Sequence, residues 1–323
     1  MCNNYNSQIL ILGIAIIWQN IGSNYMSQPD MTKVDELNRY LFDDMHVRGE
    51  LVQLSCSYQS IIENHAYPIG VRLLLGELLA ATCLLTATLK FEGDITVQLQ
   101  GDGPVGYMSV NGDNNQIMRG VAKVVDEKAA QAAVTLRSLI GNGNMIITIK
   151  PNKGEAYQGV VALDQPTLAQ CFAQYFEVSA QIPTQVWLFS DDEKQQVAGS
   201  LVQLLPDGDG SDTNKAQQQS DFEHLSQLTN TIKAEEIFSL KAEALLYRLY
   251  HQEKVSLFEP QKVSYQCGCS SNKCLAAISQ IEPSEIEAIL AEQGKISMTC
   301  DNCQTTYDFF AEQLKSFISK DSH

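Results

Sequence analysis

The chain has 323 residues, 44% of them hydrophobic and 19% charged, which suits a globular protein with a sizeable core and excludes a disordered or fibrous one. Lys and Arg total 22 against 38 Asp and Glu, a formal charge of −16, so the long-range field repels nucleic-acid backbones and anionic membranes. Nine cysteines, four of them crowded into a metal-ligand pattern, do not form a dispersed disulfide framework and point to a reducing compartment, the cytoplasm.

At the N-terminus, Ile9 to Trp18 is an apolar run well short of the ~20 residues that span a bilayer. No Lys or Arg precedes Lys33, so the basic flank of a secretory leader is missing. Residues 1–30 therefore read as an extension ahead of the true start, with Met26 or Met31 as initiator and a leader as the alternative. An α+β core domain is expected over residues 31–206. Its first elements are a helix over Val34 to Phe42, a half-buried strand from His46 to Leu54 and a helix over Tyr58 to His65. Gly70 to Leu89 reads as a long core helix, since Arg72, Glu77 and Lys90 do not fit a membrane span.

Asp94 to Gln100, Tyr107 to Val110 and Met145 to Lys150 follow as strands of a meandering sheet. The Gly-rich segments 101–104 and 141–144 between them read as hairpin turns whose glycines take positive φ. Neither matches a phosphate-binding loop, and no Gly-Lys-Ser/Thr follows, so no ATP site is expected. Gly159 to Leu163 adds a strand, Pro166 to Gln181 an amphipathic helix with Pro in its first turn, and Val186 to Ser190 and Ser200 to Leu205 two further strands.

A linker is expected over residues 207–262. The polar runs 207–212 and 217–220 read as a flexible hinge, because such residues bury too little surface to offset the entropy of ordering. Beyond them Phe222, Leu225, Leu228, Ile232, Ile237, Leu240, Leu245, Leu246, Leu249 and Tyr250 recur at near-helical spacing. Two readings stay open for these helices: permanent packing on the core, which is favoured, and a clamp that detaches.

The strongest signal lies in residues 263–319, a small zinc-binding domain. Cys267-Gly268-Cys269 and Cys300-Asp301-Asn302-Cys303 are two close thiol pairs able to converge on one tetrahedral ion. Four soft thiolates suit Zn²⁺ and close its shell, which makes the site structural or regulatory and not hydrolytic. Lys295 to Thr299 and Gln304 to Phe310 read as strands flanking the second pair. Asn272 to Ile281 reads as a helix, and Ser284 with Glu287 as a capping box opening another that stops at Gly294. Cys274 is expected as a semi-buried non-ligand, Cys56, Cys83 and Cys171 as core side chains, and Cys2 receives no role. Oxidation is locally feasible within each pair, and losing zinc should unfold roughly residues 263–318, because in so small a unit metal binding is folding free energy.

From Lys33 to Ser319 the chain resembles the heat shock protein 33 family, redox-regulated chaperonins of 33 kDa. The resemblance rests on Arg39-Tyr40-Leu41-Phe42, Gly101-Asp102-Gly103-Pro104, Gly141-Asn142-Gly143, Tyr157-Gln158-Gly159-Val160-Val161 and, above all, the two cysteine pairs. It implies an ATP-independent holdase, not an enzyme, inactive while reduced and holding one Zn²⁺ per chain. It also implies activation by Cys267–Cys269 and Cys300–Cys303 disulfides, unfolding of the linker with the zinc domain, unfolding client proteins as partners, and a homodimer in the oxidised state. Two other classes compete: a thiol-disulfide oxidoreductase using Cys300 and Cys303, and a zinc-ribbon nucleic-acid binder, which the charge of −16 opposes.

Overall fold

A computed structural model describes residues 35–89, 92–205 and 215–318. The readings made for residues 1–30, Met26, Met31, Cys2 and the polar run 207–212 lie outside these residues. In chain order, β1 (Asp35–Phe42) and β2 (Val47–Leu54) lead through α1 (Cys56–Ile62) into the long α2 (Ile69–Thr88). Next come β3 (Gly93–Gly101), β4 (Val105–Asp113), β5 (Ile117–Val124), two short helices α3 (Glu127–Ala132) and α4 (Leu136–Ile140), then β6 (Gly143–Pro151) and β7 (Tyr157–Ala162). Then follow α5 (Leu168–Tyr175), β8 (Thr184–Asp191), β9 (Gln196–Leu204), α6 (Lys215–Thr229), α7 (Ala234–Ser239), α8 (Ala242–Tyr250) and three short strands, β10 (Val255–Leu257), β11 (Gln261–Lys262) and β12 (Ser264–Tyr265). The C-terminal part holds α9 (Ser271–Ile278), α10 (Pro283–Gln293), β13 (Lys295–Thr299), β14 (Thr306–Phe310) and α11 (Ala311–Ile318).

The protein is α+β, as expected. One sheet has the order β10-β1-β2-β9-β8, with β11 also on β1, and a second has the order β12-β5-β4-β3-β6-β7. The main core lies between them around α2, whose Leu75, Leu78, Leu79 and Cys83 are fully buried against Val97, Leu99, Met108, Ile147 and Val197. Each such apolar side chain removed from water contributes about 1.5–3 kcal/mol. Inside that helix the hydroxyls of Thr82 and Thr86 donate to the carbonyls four residues back, at 2.7 Å each, so burying them leaves no donor unmet. Helix α2 is also long and apolar enough to cross a membrane, yet 78% of its apolar window is buried within the protein.

The opposite face of the first sheet carries a second core. Tyr40, Phe42, Val47, Leu51 and Val202 pack there against Phe222, Leu225, Leu245, Leu246 and Leu249 of α6 and α8. The amphipathic helices anticipated after residue 220 thus lie on the sheet. Gln53 Nε2 adds hydrogen bonds to the carbonyls of Ile237 (2.6 Å) and Leu240 (2.9 Å), fastening α7 to β2.

Several expectations are corrected. Val34 to Phe42 does not form a helix: β1 pairs with β2 and β10, with Leu37 facing the main core and Tyr40 and Phe42 the second, so two-sided burial overrides a helix-compatible spacing. The strand β5 carries too few strand-forming residues in alternation to be read from sequence. The Gly-rich segments are not two positive-φ hairpin turns. Only Gly141 is left-handed (φ +74°); a Cβ at Gly101 would run into the Ile140 carbonyl and one at Gly103 would stand 2.5 Å from that of Leu139, because the two segments pack on each other. Asp102 locks them by accepting from the Asn142 backbone at 2.7 Å. Pro166 precedes the helix instead of sitting in its first turn: Thr167 caps α5, which then loosens into a single π-turn at Phe176–Ala180. Gln217 to Ser220 is helical within α6, carried by burial of Gln218, Phe222 and Leu225. Ser284 is not a cap, since α10 already begins at Pro283, a residue pre-organised for the first helical position.

Candidate metal centre

The last strand pairs of the core deliver the first cysteine pair. Val263 donates to Asp35 O at 2.9 Å and Ser264 to Gln116 O at 3.0 Å, and β12 pairs in parallel with β5, so the chain reaches Cys267 already anchored. Ser270 then caps α9 by accepting from the Lys273 amide at 3.3 Å. The second pair sits on the turn of the β13–β14 hairpin, which is in register up to Thr299↔Thr306. Cys300 N donates to Thr305 O at 2.9 Å and Gln304 N to Cys300 O at 2.8 Å, folding residues 300–305 into a tight knuckle with Gln304 left-handed at φ +57°.

This geometry brings all four anticipated sulfurs together. The Sγ atoms of Cys267, Cys269, Cys300 and Cys303 lie within 4.8 Å of one another, and each is half-buried. Cys267 and Cys300 are 3.5 Å apart, as are Cys269 and Cys303. A tetrahedral Zn–S₄ site with bonds of ~2.3 Å has sulfurs ~3.8 Å apart, so the spacing fits a metal without backbone rearrangement. Among the described residues no further group of three or more His, Cys, Asp or Glu is gathered in this way.

Two neighbours of the sulfurs were not anticipated. Tyr307 Oη lies 3.2 Å from Cys269 Sγ, and Thr305 Oγ1 lies 3.2 Å from Cys303 Sγ. Both are on the strand side of the knuckle, and only its hairpin register aims them at the site. At Cys303 burial alone would raise the thiol, but the Thr305 hydrogen bonds and those of the neighbouring sulfurs outweigh it and bring the thiol down to about 6. Burial and crowding by the other sulfurs push Cys267 up to about 12. One easily formed thiolate beside hard-to-ionise neighbours is what four donors confined to one small volume produce.

The other cysteines separate from this group. Cys274 on α9 is half-buried and packs against the small C-terminal cluster of Ile278, Ile286, Ile296, Phe309 and Leu314. Cys83 and Cys171 are buried in the main core. Cys56 begins α1 half-exposed and is not the core side chain expected.

A protein-family model described as "Hsp33 protein" matches residues 35–310. A 33 kDa chaperonin of Colwellia psychrerythraea is 73% identical over 293 residues, covering 91% of this chain and 100% of its own. A 33 kDa chaperonin of Shewanella sp. is 55% identical over 275 residues, 85% of this chain and 92% of its own. The crystal structure of a 33 kDa chaperonin from Thermotoga maritima superposes with a TM-score of 0.74 at 21% identity, covering 88% of this chain and 98% of that one. With four thiols positioned to hold a metal ion at the end of this fold, and a family match spanning most of its length, the chain belongs to the Hsp33 family of chaperones.

Proposed function

We propose that the chain is a redox-regulated, ATP-independent holdase of the cytoplasm, which keeps unfolding client proteins from aggregating under oxidative stress. In this reading residues 31–206 are the core, 207–262 the switchable linker and 263–319 the metal module. Cys267, Cys269, Cys300 and Cys303 are the ligands of one Zn²⁺ per chain in the reduced, silent state. The observation that carries it is the convergence of these four sulfurs within 4.8 Å at the end of a segment whose helices α6 and α8 cover an apolar face of the first sheet.

Zn²⁺ bound there would hold all four sulfurs as thiolates and close the fold of the module. Each thiolate pair would be oxidised by one molecule of hydrogen peroxide: two S⁻ groups give up two electrons and yield one S–S bond, the O–O bond is cleaved, and two protons from solvent complete two waters. Pairing of Cys267 with Cys269 and of Cys300 with Cys303, the pattern that the family implies, consumes every donor sulfur. Within each motif the loop to be closed is one or two residues, against thirty or more across the motifs, so partners inside a motif meet first once the cluster loosens. The module then lacks its closure, and its unfolding pulls on the attached linker, exposing the apolar face beneath α6 and α8 to clients, with a homodimer as the oxidised form.

The test measures zinc release with a chromogenic chelator beside light scattering of a heat-unfolding client, first in reductant and then in peroxide at elevated temperature. Zinc release with suppressed aggregation only after oxidation is the expected result. Zinc that stays bound while the client aggregates in both conditions sinks the reading.

A further inference from the structure

Both arms of the four-sulfur site rest on the core, at residues that are not among its sulfurs. On the first arm β12 pairs with β5 (Ser264↔Ile117, Tyr265↔Met118), and Gln266 N donates to Met118 O at 3.1 Å. The next residue of β5 is Arg119, half-buried, whose guanidinium lies over Cys267-Gly268-Cys269: its Nη1 is 2.7 Å from where a Cβ on Gly268 would stand. Lys273 Nζ donates to the Gly268 carbonyl at 2.6 Å, so two cations flank the glycine between the two sulfurs.

On the second arm His65 Nε2 bonds the Asn302 carbonyl, inside the knuckle, at 3.2 Å. The His65 ring is stacked on Tyr67 with centroids 4.5 Å apart and planes 7° from parallel. Tyr67 Oη in turn accepts from the Ala122 amide of β5 at 3.0 Å.

We propose that His65, Tyr67 and Arg119 form a docking cradle that holds the two thiol pairs face to face, with Arg119 and His65 as positioning residues for the metal site. The inference rests on the metal reading above and adds to it a core-side half. Four thiolates around a divalent ion leave a net negative charge, which a guanidinium over the motif favours, and groups that touch a ligand's backbone fix its direction. A side chain at position 268 would meet the guanidinium first, and Arg119 would have to swing aside to admit it. Hold on the metal and hold of the module on β5 are then coupled, since the same contacts serve both.

The experiment uses the full reduced chain loaded with zinc and follows zinc transfer to a chromogenic chelator. Arg119→Gln and His65→Ala should each speed release by about 10- to 100-fold, the range typical of residues supporting a metal ligand. Lys150→Gln, which removes an equal charge from a remote exposed position, should leave the rate unchanged. Gly268→Ala displaces the guanidinium without deleting it, so it should mimic Arg119→Gln, and the double variant should add little to either. Hydrogen exchange at Ile117, Met118 and Ser264 to Gln266 should rise in Arg119→Gln with zinc still bound, a readout that is independent of chaperone activity. Wild-type release rates in both positioning variants, or multiplicative effects of Arg119→Gln and Gly268→Ala, overturn the cradle while leaving the holdase reading intact. A wild-type chain that releases zinc on oxidation but holds no client removes the holdase and leaves the cradle standing.

Discussion

The core and the C-terminal module solve the same problem with unequal means. Around α2, two sheets bury apolar side chains on every side of the helix, so the core closes without help from any other group. The module buries Ile278, Ile286, Ile296, Phe309 and Leu314 and little else that is fully shielded. Units of that size seldom gain more than about 3–5 kcal/mol from a core and rely on a staple. On the proposed reading one region is self-sufficient and the other depends on four sulfurs, so the second is the part expected to yield first.

The largest expected effect tests that dependence directly. Removing zinc from the reduced chain, or replacing Cys269 with Ser, should strip protection from α9, α10 and the β13–β14 hairpin while α2 stays protected, as read by hydrogen exchange. The metal-linked folding free energy at stake is about 10–16 kcal/mol at neutral pH. Cys171→Ser, in the main core, should cost stability there and leave zinc uptake unchanged. Equal loss of protection in both regions would break the comparison. In the other direction, Leu78→Ala should lower the global unfolding free energy by about 2–5 kcal/mol, by cavity formation beside Val97 and Val197, with no change in zinc affinity.

A third effect separates the regions by pH. Glu50 lies on β2 opposite Arg39 and Leu201, is 1% exposed, and is raised from about 4.5 to about 7 by burial against weaker opposing pulls from Arg48 and Arg39. The folded chain therefore keeps this proton where the unfolded chain has lost it. The contribution to stability is fully present below about pH 4.5 and is lost as pH rises through about 7, by at most about 3 kcal/mol. Glu50→Gln should flatten that part of the profile, measured as urea midpoints between pH 5 and 8, and should not alter exchange in the module. An unchanged slope would mean that Glu50 titrates alike in both states.

What could be read in advance follows the same division. The four sulfurs were legible because their chemistry is written in residue type and local spacing, and the hairpin around Cys300 and Cys303 because its strands are short and local. The long helix α2 was legible because its apolar run admits no other placement. What stayed hidden depends on partners distant in sequence: β1 is a strand because β2 and β10 flank it, and Gly101 and Gly103 are glycines because Ile140 and Leu139 press on them. The contacts of Tyr307 with Cys269, and of Arg119 with Gly268, have no local signature at all.

The smallest effect decides to which side of the comparison the second core belongs. Its helices bury a continuous apolar face, as the main core does, yet they are joined in sequence to the module through β10, β11 and β12. Gln53 is the place to probe this, because its amide reaches out from β2 to the carbonyls of Ile237 and Leu240 and is 6% exposed. Gln53→Ala leaves those carbonyls without their donor and should cost about 1–3 kcal/mol. If the second core is an extension of the first, that cost appears in global unfolding and exchange in α6 to α8 is unchanged below it. If it is a clamp, exchange rises in α6 to α8 alone, and the oxidant or temperature needed to free the apolar face falls in step. The second outcome is the one expected, since Ile237 is the one fully buried side chain of α7, with Phe238 partly buried beside it, and the Gln53 bonds add to these two in holding that short helix to β2.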